Sequence, residues 1–412
     1  MTDVERALQD LQDRGLASRM RMISGPQGPR VLLDGRPVLL LCSDNYLGLA
    51  DHPRVREAAA DAAMRYGAGA GAPRAVSGTM RIHRRLEERL ASFQQHEASL
   101  LFGSRYLANI GVIPALAGRG QVVFSDAASH ASMADGVRLA DAESFVYRHG
   151  DAEHLAWGLE QAEGRGTLIV TDGLFGADGD AAPLAEIVEL ARRHDARVMV
   201  DESHAVGAVG PDGRGTAAAA GVHAEVDVVV GSLGKALGSY GAFVCADREM
   251  VRYLAAAART LSDSTAPSPP AVAAAMASLA LLRAEPRRVE KLQRNASIMR
   301  EALSSEGLPA APGASHILTI AVAQAAGAAA ERALERGLFV VASPPPDGGE
   351  EAPTLHVKVM ATHTKTELRQ AAGTIAGCMP KAARRAAARA ALATPGPARR
   401  AGGVFDGLAE AA

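Results

Sequence analysis

Val198-Met199-Val200-Asp201-Glu202-Ser203-His204 and, further on, Val228-Val229-Val230-Gly231-Ser232-Leu233-Gly234-Lys235 decide how this chain folds. Each is a short apolar run that stops abruptly at polar residues. A run rich in β-branched residues, with no polar alternation, reads as a strand buried on both faces. Similar runs occur at Ala98–Phe102, Gln121–Phe124, Ser144–Tyr147, Thr167–Thr171 and Ala242–Cys245. Helical patterns such as Leu107–Leu116 and Leu184–His194 lie between several of them. This alternation predicts an α/β domain around a mostly parallel, seven-stranded sheet. Such sheets bind ligands at the carboxyl ends of their strands, so the polar residues that close each run carry the functional information.

Outward from this centre, residues 1 to about 25 place Val4, Leu8, Leu11 and Leu16 at helical spacing. The runs Val31–Leu33 and Arg36–Leu41 flank Asp34-Gly35, a hairpin signal. A long helical region runs from Pro269 to about Ser304 and is broken at Pro286. Two strand-like runs, His316–Ala321 and Thr354–Val359, with two helices, suffice for a smaller C-terminal α+β domain. The expected division is 1–45 (helix and short strands), 46–285 (large domain), 286–380 (small domain) and 381–412, an Ala/Arg-rich tail expected to be disordered.

The 412 residues hold 44 Lys plus Arg against 46 Asp plus Glu, a net charge of −2. That excludes a nucleic-acid protein working by bulk attraction to phosphate. With 48% hydrophobic and 22% charged residues the chain is ordinary globular material, and with 4% aromatics its core must rest on Leu, Val, Ile and Ala. Cys42, Cys245 and Cys378 are too sparse for a disulfide framework. The N-terminus lacks an apolar signal segment, and no window approaches the ~20 apolar residues of a spanning helix. A cytoplasmic protein with no membrane partner is expected. No His/Cys/carboxylate cluster has metal spacing, so no metal site is expected. There is no P-loop, and Gly67-x-Gly69-x-Gly71 lacks the preceding strand of a dinucleotide site.

Asp201 closing one strand, and Lys235 among glycines after another, are what a pyridoxal 5′-phosphate (PLP) site requires. The lysine forms a Schiff base with the aldehyde, and the carboxylate pairs with the pyridine nitrogen. His204 can reach toward the ring hydroxyl, and His130, after the run ending at Phe124, can stack on the ring. Phosphate needs backbone amides at a helix start and hydroxyl donors. Ser104, Arg105 and Tyr106 offer the first, and Ser232 the second.

The ordered set Asn45-Tyr46-Leu47-Gly48-Leu49, Arg74 with Val76-Ser77-Gly78-Thr79, His130-Ala131-Ser132, Asp178-Gly179-Asp180, Asp201 with His204, Gly231-Ser232-Leu233-Gly234-Lys235 and Ala361-Thr362-His363 resembles the α-oxoamine synthase family of PLP fold type I. The resemblance covers about residues 25–375. It implies a PLP-dependent acyltransferase that condenses an amino acid with an acyl thioester, carried by coenzyme A or acyl carrier protein, with loss of carboxylate. It implies Lys235 as cofactor anchor and base, and a homodimer with shared sites in which Thr265 reaches the neighbour's phosphate.

The departures cluster. Asp44 stands where the family has asparagine, and His356 where an arginine clamps the donor carboxylate. Arg105 replaces a glycine and Gly176 a serine. One reading is compensation, with Arg105 or Arg74 taking the anion. The other is a specialised-pathway paralogue, with Asp44, Asn45, Arg74 and His356 lining the donor site and Asp44 facing His356 across the cofactor. A degenerate, non-catalytic relative is disfavoured because Lys235, Asp201, His204 and His130 all persist.

Overall fold

The computed structural model describes residues 2–13, 20–162, 164–310, 315–322, 326–343 and 353–379. Leu16 and the 381–412 tail therefore lie outside the described residues.

The seven expected strands form one sheet, in the order Ala98–Phe102, Ala242–Ala246, Val228–Ser232, Arg197–Asp201, Thr167–Asp172, Val122–Asp126, Glu143–Tyr147. Only Ala242–Ala246 runs antiparallel to its neighbours. Successive side chains go to opposite faces. Ile169, Val200 and Phe243 join one apolar cluster, whereas Leu168, Val170, Met199 and Val244 join the other. Helices cover both faces, which is why these strands read as unbroken apolar runs. Gly231 is required on the sheet, because a Cβ there would fall 2.2 Å from the Phe243 ring.

The hairpin forms between Arg30–Leu33 and Arg36–Leu40, with positive φ at Asp34 (48°) and Gly35 (79°). The strand Leu338–Phe339 pairs parallel with Arg36–Leu40, a long-range contact that no local pattern announced. Pro269–Ala284 and Arg287–Ser305 are separate helices, parted at Pro286 as expected. A three-stranded antiparallel sheet follows in the order Ile317–Ala321, Thr354–Lys358, Val341–Ser343. Its cluster, which includes Leu318, Leu355, Val357 and Leu368, is distinct from the two that clothe the large sheet. The N-terminal helix Asp3–Asp13 buries none of its residues, so its apolar stripe is uncovered among the described residues. No helix among the described residues is long and apolar enough to cross a membrane.

Candidate active site

Asp172 and Asp201 end adjacent parallel strands and lie opposite each other in register. Two buried carboxylates side by side need a cation. Arg105, the first residue of the helix Arg105–Leu116, supplies it. Its Nε donates to Asp201 Oδ2 at 2.5 Å, and its Nη2 donates to Asp172 Oδ1. One helical turn on, Asn109 Nδ2 donates to the same Asp201 oxygen at 2.7 Å and to Ser132 Oγ at 2.9 Å. The Ser203 amide donates to Asp201 Oδ1 at 2.9 Å. Burial opposes the charge on Asp201, but Arg105, Ser203 and Asn109 outweigh it and hold its pKa below the usual carboxylate value. Burial lifts Asp172 to about 7 against the pull of Arg105.

Opposite these carboxylates, Lys235 Nζ meets His204 Nε2. His204 Nδ1 lies 2.7 Å from Tyr46 Oη, which donates to Asp44 Oδ1 at 3.1 Å, and Lys358 Nζ donates to that oxygen at 2.7 Å. Tyr46 has one hydroxyl proton. Given to Asp44, it leaves the Tyr46 oxygen to accept from His204 Nδ1–H, so Nε2 accepts from Lys235. Burial and the nearby Lys235 and Arg105 charges push His204 well below its ordinary value, consistent with this neutral tautomer. Burial, with Arg105 close by, lowers Lys235 to about 7. Burial also opposes the charge on Asp44, yet Lys358 and Lys235 keep it ionised. Gly176 makes room for this arrangement, since a Cβ there would lie 2.5 Å from His204 Nε2.

His130 caps the helix Ala131–Leu139, and its Nδ1 lies 2.7 Å from Ser132 Oγ. Burial and Arg105 push it down to about 4, so the ring is neutral and suited to stacking. Ser104 caps Arg105–Leu116 by accepting from the Leu107 amide at 3.1 Å. Asp44, Ser104, Arg105, His130, Asp172, His204 and Lys235 line one cavity of about 700 Å³, with Ser232, Tyr106, Tyr240 and Lys358 on its wall; Asp201, fully buried, is bonded to the lining Arg105 and is not itself part of the lining. A nucleophilic amine, a buried carboxylate bonded to a lining arginine, and a helix N-terminus match the aldehyde, ring nitrogen and phosphate of PLP.

Several expected residues are elsewhere. His356 does not line the cavity; its Nε2 lies 3.0 Å from Thr354 Oγ1 on its own strand. The position that meets Asp44 belongs to Lys358, two residues along and therefore on the same face. Asp44, expected to face His356 across the cofactor, meets Lys358 instead, and His356 is off the cavity lining. Arg74 is buried and held by Glu87 Oε1 at 2.7 Å and Thr79 Oγ1 at 3.0 Å, away from the cavity lining. Asn45 braces the backbone instead, donating to Gln27 O at 2.9 Å and accepting from the Ala50 amide at 3.2 Å. Thr265 pairs through its backbone with Pro73, outside this chain's cavity lining. Arg105, expected to offer its amide to the phosphate or its charge to the donor anion, lays its guanidinium between the carboxylates instead.

Asp172, Asn109, Tyr46 and Lys358 were not singled out. Asp172 closes its run as Asp201 does, and Asn109 is one turn from Arg105; both signals were in the sequence. Nothing local announced His316, which is buried with both ring nitrogens unpartnered and has its ring centroid 4.0 Å from that of Tyr46. His149, Asp178 and Asp180 bring ligand atoms within 4.8 Å of one another, a cluster that sequence spacing did not reveal. Both His149 nitrogens already face carboxylates, of Asp126 and Asp180, at 2.8 Å, which leaves no free ring lone pair for an ion.

A model of the family described as aminotransferase class I and II matches residues 36–375. The chain belongs to the aminotransferase class I and II family. A curated relative from Geobacter sulfurreducens, an 8-amino-7-oxononanoate synthase, is 44% identical over 374 residues, covering 90% of this chain and 96% of its own. Another 8-amino-7-oxononanoate synthase, from Anaeromyxobacter dehalogenans, is 46% identical over 375 residues, covering 90% and 94%. A Sphingomonas wittichii serine palmitoyltransferase superposes with a TM-score of 0.86 at 30% identity, over 95% of this chain and 98% of that one. A serine palmitoyltransferase variant from S. paucimobilis, solved with PLP and myriocin, gives 0.85 at 29% identity, over 91% and 96%. This member of the class I and II family is a PLP-dependent transferase of fold type I, similar to the α-oxoamine synthases, and its reaction is a condensation that forms an α-oxoamine.

Proposed function

We propose that the enzyme joins an α-amino acid to an acyl thioester, carried by coenzyme A or an acyl carrier protein, with loss of the donor's carboxylate. The observation that carries this reading is the Lys235 amine, lowered to about 7, in contact with neutral His204 in a cavity also lined by Arg105, whose guanidinium is bonded to buried Asp201. When bound, PLP supplies an electron sink for negative charge at the donor Cα. Lys235 would hold the cofactor and, once the donor displaces it, would take the Cα proton on Nζ. Asp201 would pair with the ring nitrogen and His204 with the ring hydroxyl, and neutral His130 would cover the ring face. Ser232 and the amides of Ser104, Arg105 and Tyr106 would hold the phosphate at the helix start.

Among the described residues on the cavity wall, the Lys and Arg side chains are Arg105, Lys235 and Lys358. Arg105 is tied to two carboxylates and Lys235 is committed to the cofactor. Lys358 is left for the donor carboxylate. One of its three donors goes to Asp44, and two stay open. Because Asp44 is beside it, this clamp is weaker and more particular than a free arginine, which favours a donor other than the one the family pattern implies.

Two protomers form the working unit in this proposal, with Thr265 of one reaching the phosphate of its partner. The division of the chain near residues 45, 285 and 380 belongs to the same reading, supported by the separate apolar cluster of the C-terminal sheet. The test is to load the protein with PLP, add small α-amino acids with and without acyl-coenzyme A, and follow cofactor absorbance and thiol release. Thiol release that needs both substrates supports condensation. An unchanged cofactor spectrum in Lys235→Ala overturns the assignment.

A further inference from the structure

The carboxylate assigned to the ring nitrogen is already heavily engaged. Asp201 Oδ2 accepts from Arg105 Nε at 2.5 Å and from Asn109 Nδ2 at 2.7 Å, and Oδ1 accepts from the Ser203 amide at 2.9 Å. A carboxylate offers about four lone-pair sites. The one left over is on Oδ1, enough for a single further donor without displacing the guanidinium. Arg105 is equally fixed. Its side chain is 8% exposed, its other end holds Asp172, and it lines the cavity. It starts from the first residue of the helix whose amides face the phosphate, so one residue spans both poles of the cofactor site.

We propose that Arg105 is a positioning residue that shares Asp201 with the cofactor's ring nitrogen and so weakens that carboxylate's hold on the ring proton. The inference rests on the reading of Asp201 given above. A guanidinium in contact neutralises part of the carboxylate's charge, and a charge at this range shifts a neighbouring pKa by about 1 to 3 units. The other titratable groups facing the pair are Asp172 on the next strand, Glu202, whose carboxylate is held by Thr216 and the Ala217 amide, His130, His204, Tyr46 and Lys235. The two histidines are held neutral, with His130 at about 4 and His204 well below its ordinary value. Burial holds Tyr46 neutral by raising it well above its ordinary value. The Lys235 nitrogen is taken up in the cofactor linkage. Arg105 is then the standing positive charge of the floor. With less ring protonation, negative charge stays nearer the donor Cα.

The experiment loads full-length protein with PLP carrying 15N at the ring nitrogen and titrates that nitrogen's NMR shift with pH, beside the absorbance of the lysine-bound cofactor, for the parent and for Arg105→Gly, Arg105→Met and Arg105→Lys. Removing the cation should raise the titration midpoint by about 1 to 3 units in the Gly and Met variants, and Arg105→Lys should bring it back toward the parent. Arg105→Met keeps the packed stem, so it reports even if Arg105→Gly fails to fold. Midpoints that do not move in Arg105→Met overturn the inference. Lys235→Ala separates the two levels: if it abolishes the spectrum while Arg105→Met leaves the midpoint unchanged, the cofactor assignment stands and only the role of Arg105 falls.

Discussion

Replacing Lys358 with methionine removes the cation from the donor end of the cavity and keeps most of the stem. Lys358 Nζ is 2.7 Å from Asp44 Oδ1, with the two side chains 19% and 35% exposed. Solvent reaches Asp44, so the pair itself contributes little to folding, about 0.2–1 kcal/mol for such partly exposed contacts. A donor carboxylate held on the open Nζ hydrogens makes a charge-assisted bond of about 1.5–3 kcal/mol. Repulsion from neighbouring Asp44 puts this contact at the lower end, about 1.5–2 kcal/mol. That converts to a loss of about 10- to 30-fold in donor affinity at about 1.4 kcal/mol per tenfold. The assay is equilibrium titration of cofactor absorbance with glycine, alanine and serine, beside a thermal melt. Asp44→Asn, which frees the lysine, should move affinity the other way, and His356→Gln should leave it unchanged. Unaltered donor affinity in Lys358→Met, with a normal melt and normal cofactor content, would refute the donor clamp.

Other consequences follow from the same geometry. With Lys235 lowered to about 7, attachment of PLP to cofactor-free protein should rise with pH to a plateau just above neutrality, and should be about tenfold slower one unit below that midpoint. Stopped-flow absorbance checks this, and a rate still climbing toward the ordinary lysine value contradicts it. Asn109→Ala deprives buried Asp201 of a donor at 2.7 Å and should cost about 1.5–3 kcal/mol by denaturant unfolding; an unchanged midpoint would show that the bond is dispensable. Burial disfavours charge on His149, but the Asp126 and Asp180 carboxylates raise it to about 10. Because the folded value lies above the unfolded one, near 6.5, its stabilisation is complete below that value and fades as pH rises toward about 10. The parent's melting temperature should therefore fall across that window more steeply than that of His149→Gln, and parallel curves would exclude the effect.

Much of this protein is legible in one dimension. The seven buried strands show in unbroken runs such as Val228–Val230, because a sheet covered on both faces leaves no side open to polar residues. The proposed cofactor set Asp201, His204, Lys235, Ser104 and Ser232 can be read because each member closes a strand or lies within three residues of its end, and chain order alone fixes which end of a parallel sheet that is. The hairpin at Asp34-Gly35 shows because its positive φ angles restrict the residues that fit. The C-terminal stretch is less legible. Leu338–Phe339 is two residues long, and it forms only because Arg36–Leu40 offers it an edge.

What the sequence could not settle is where the long polar side chains end. Arg105, Arg74 and Lys358 each reach several ångströms from their backbone; the partners of Arg105 and Lys358, Asp201 and Asp44, come from distant segments, and Arg74 turns to Glu87 on the next helix. Position in a motif suggested that His356 or Arg74 would serve the donor. Folding instead buried Arg74 against Glu87 and turned His356 onto its own strand. It brought Lys358 to Asp44 and laid the Arg105 guanidinium between two carboxylates that are neighbours only in the sheet. Backbone order thus came from local pattern, while the balance of charge in the site came from contacts that exist only once distant strands and helices are packed together.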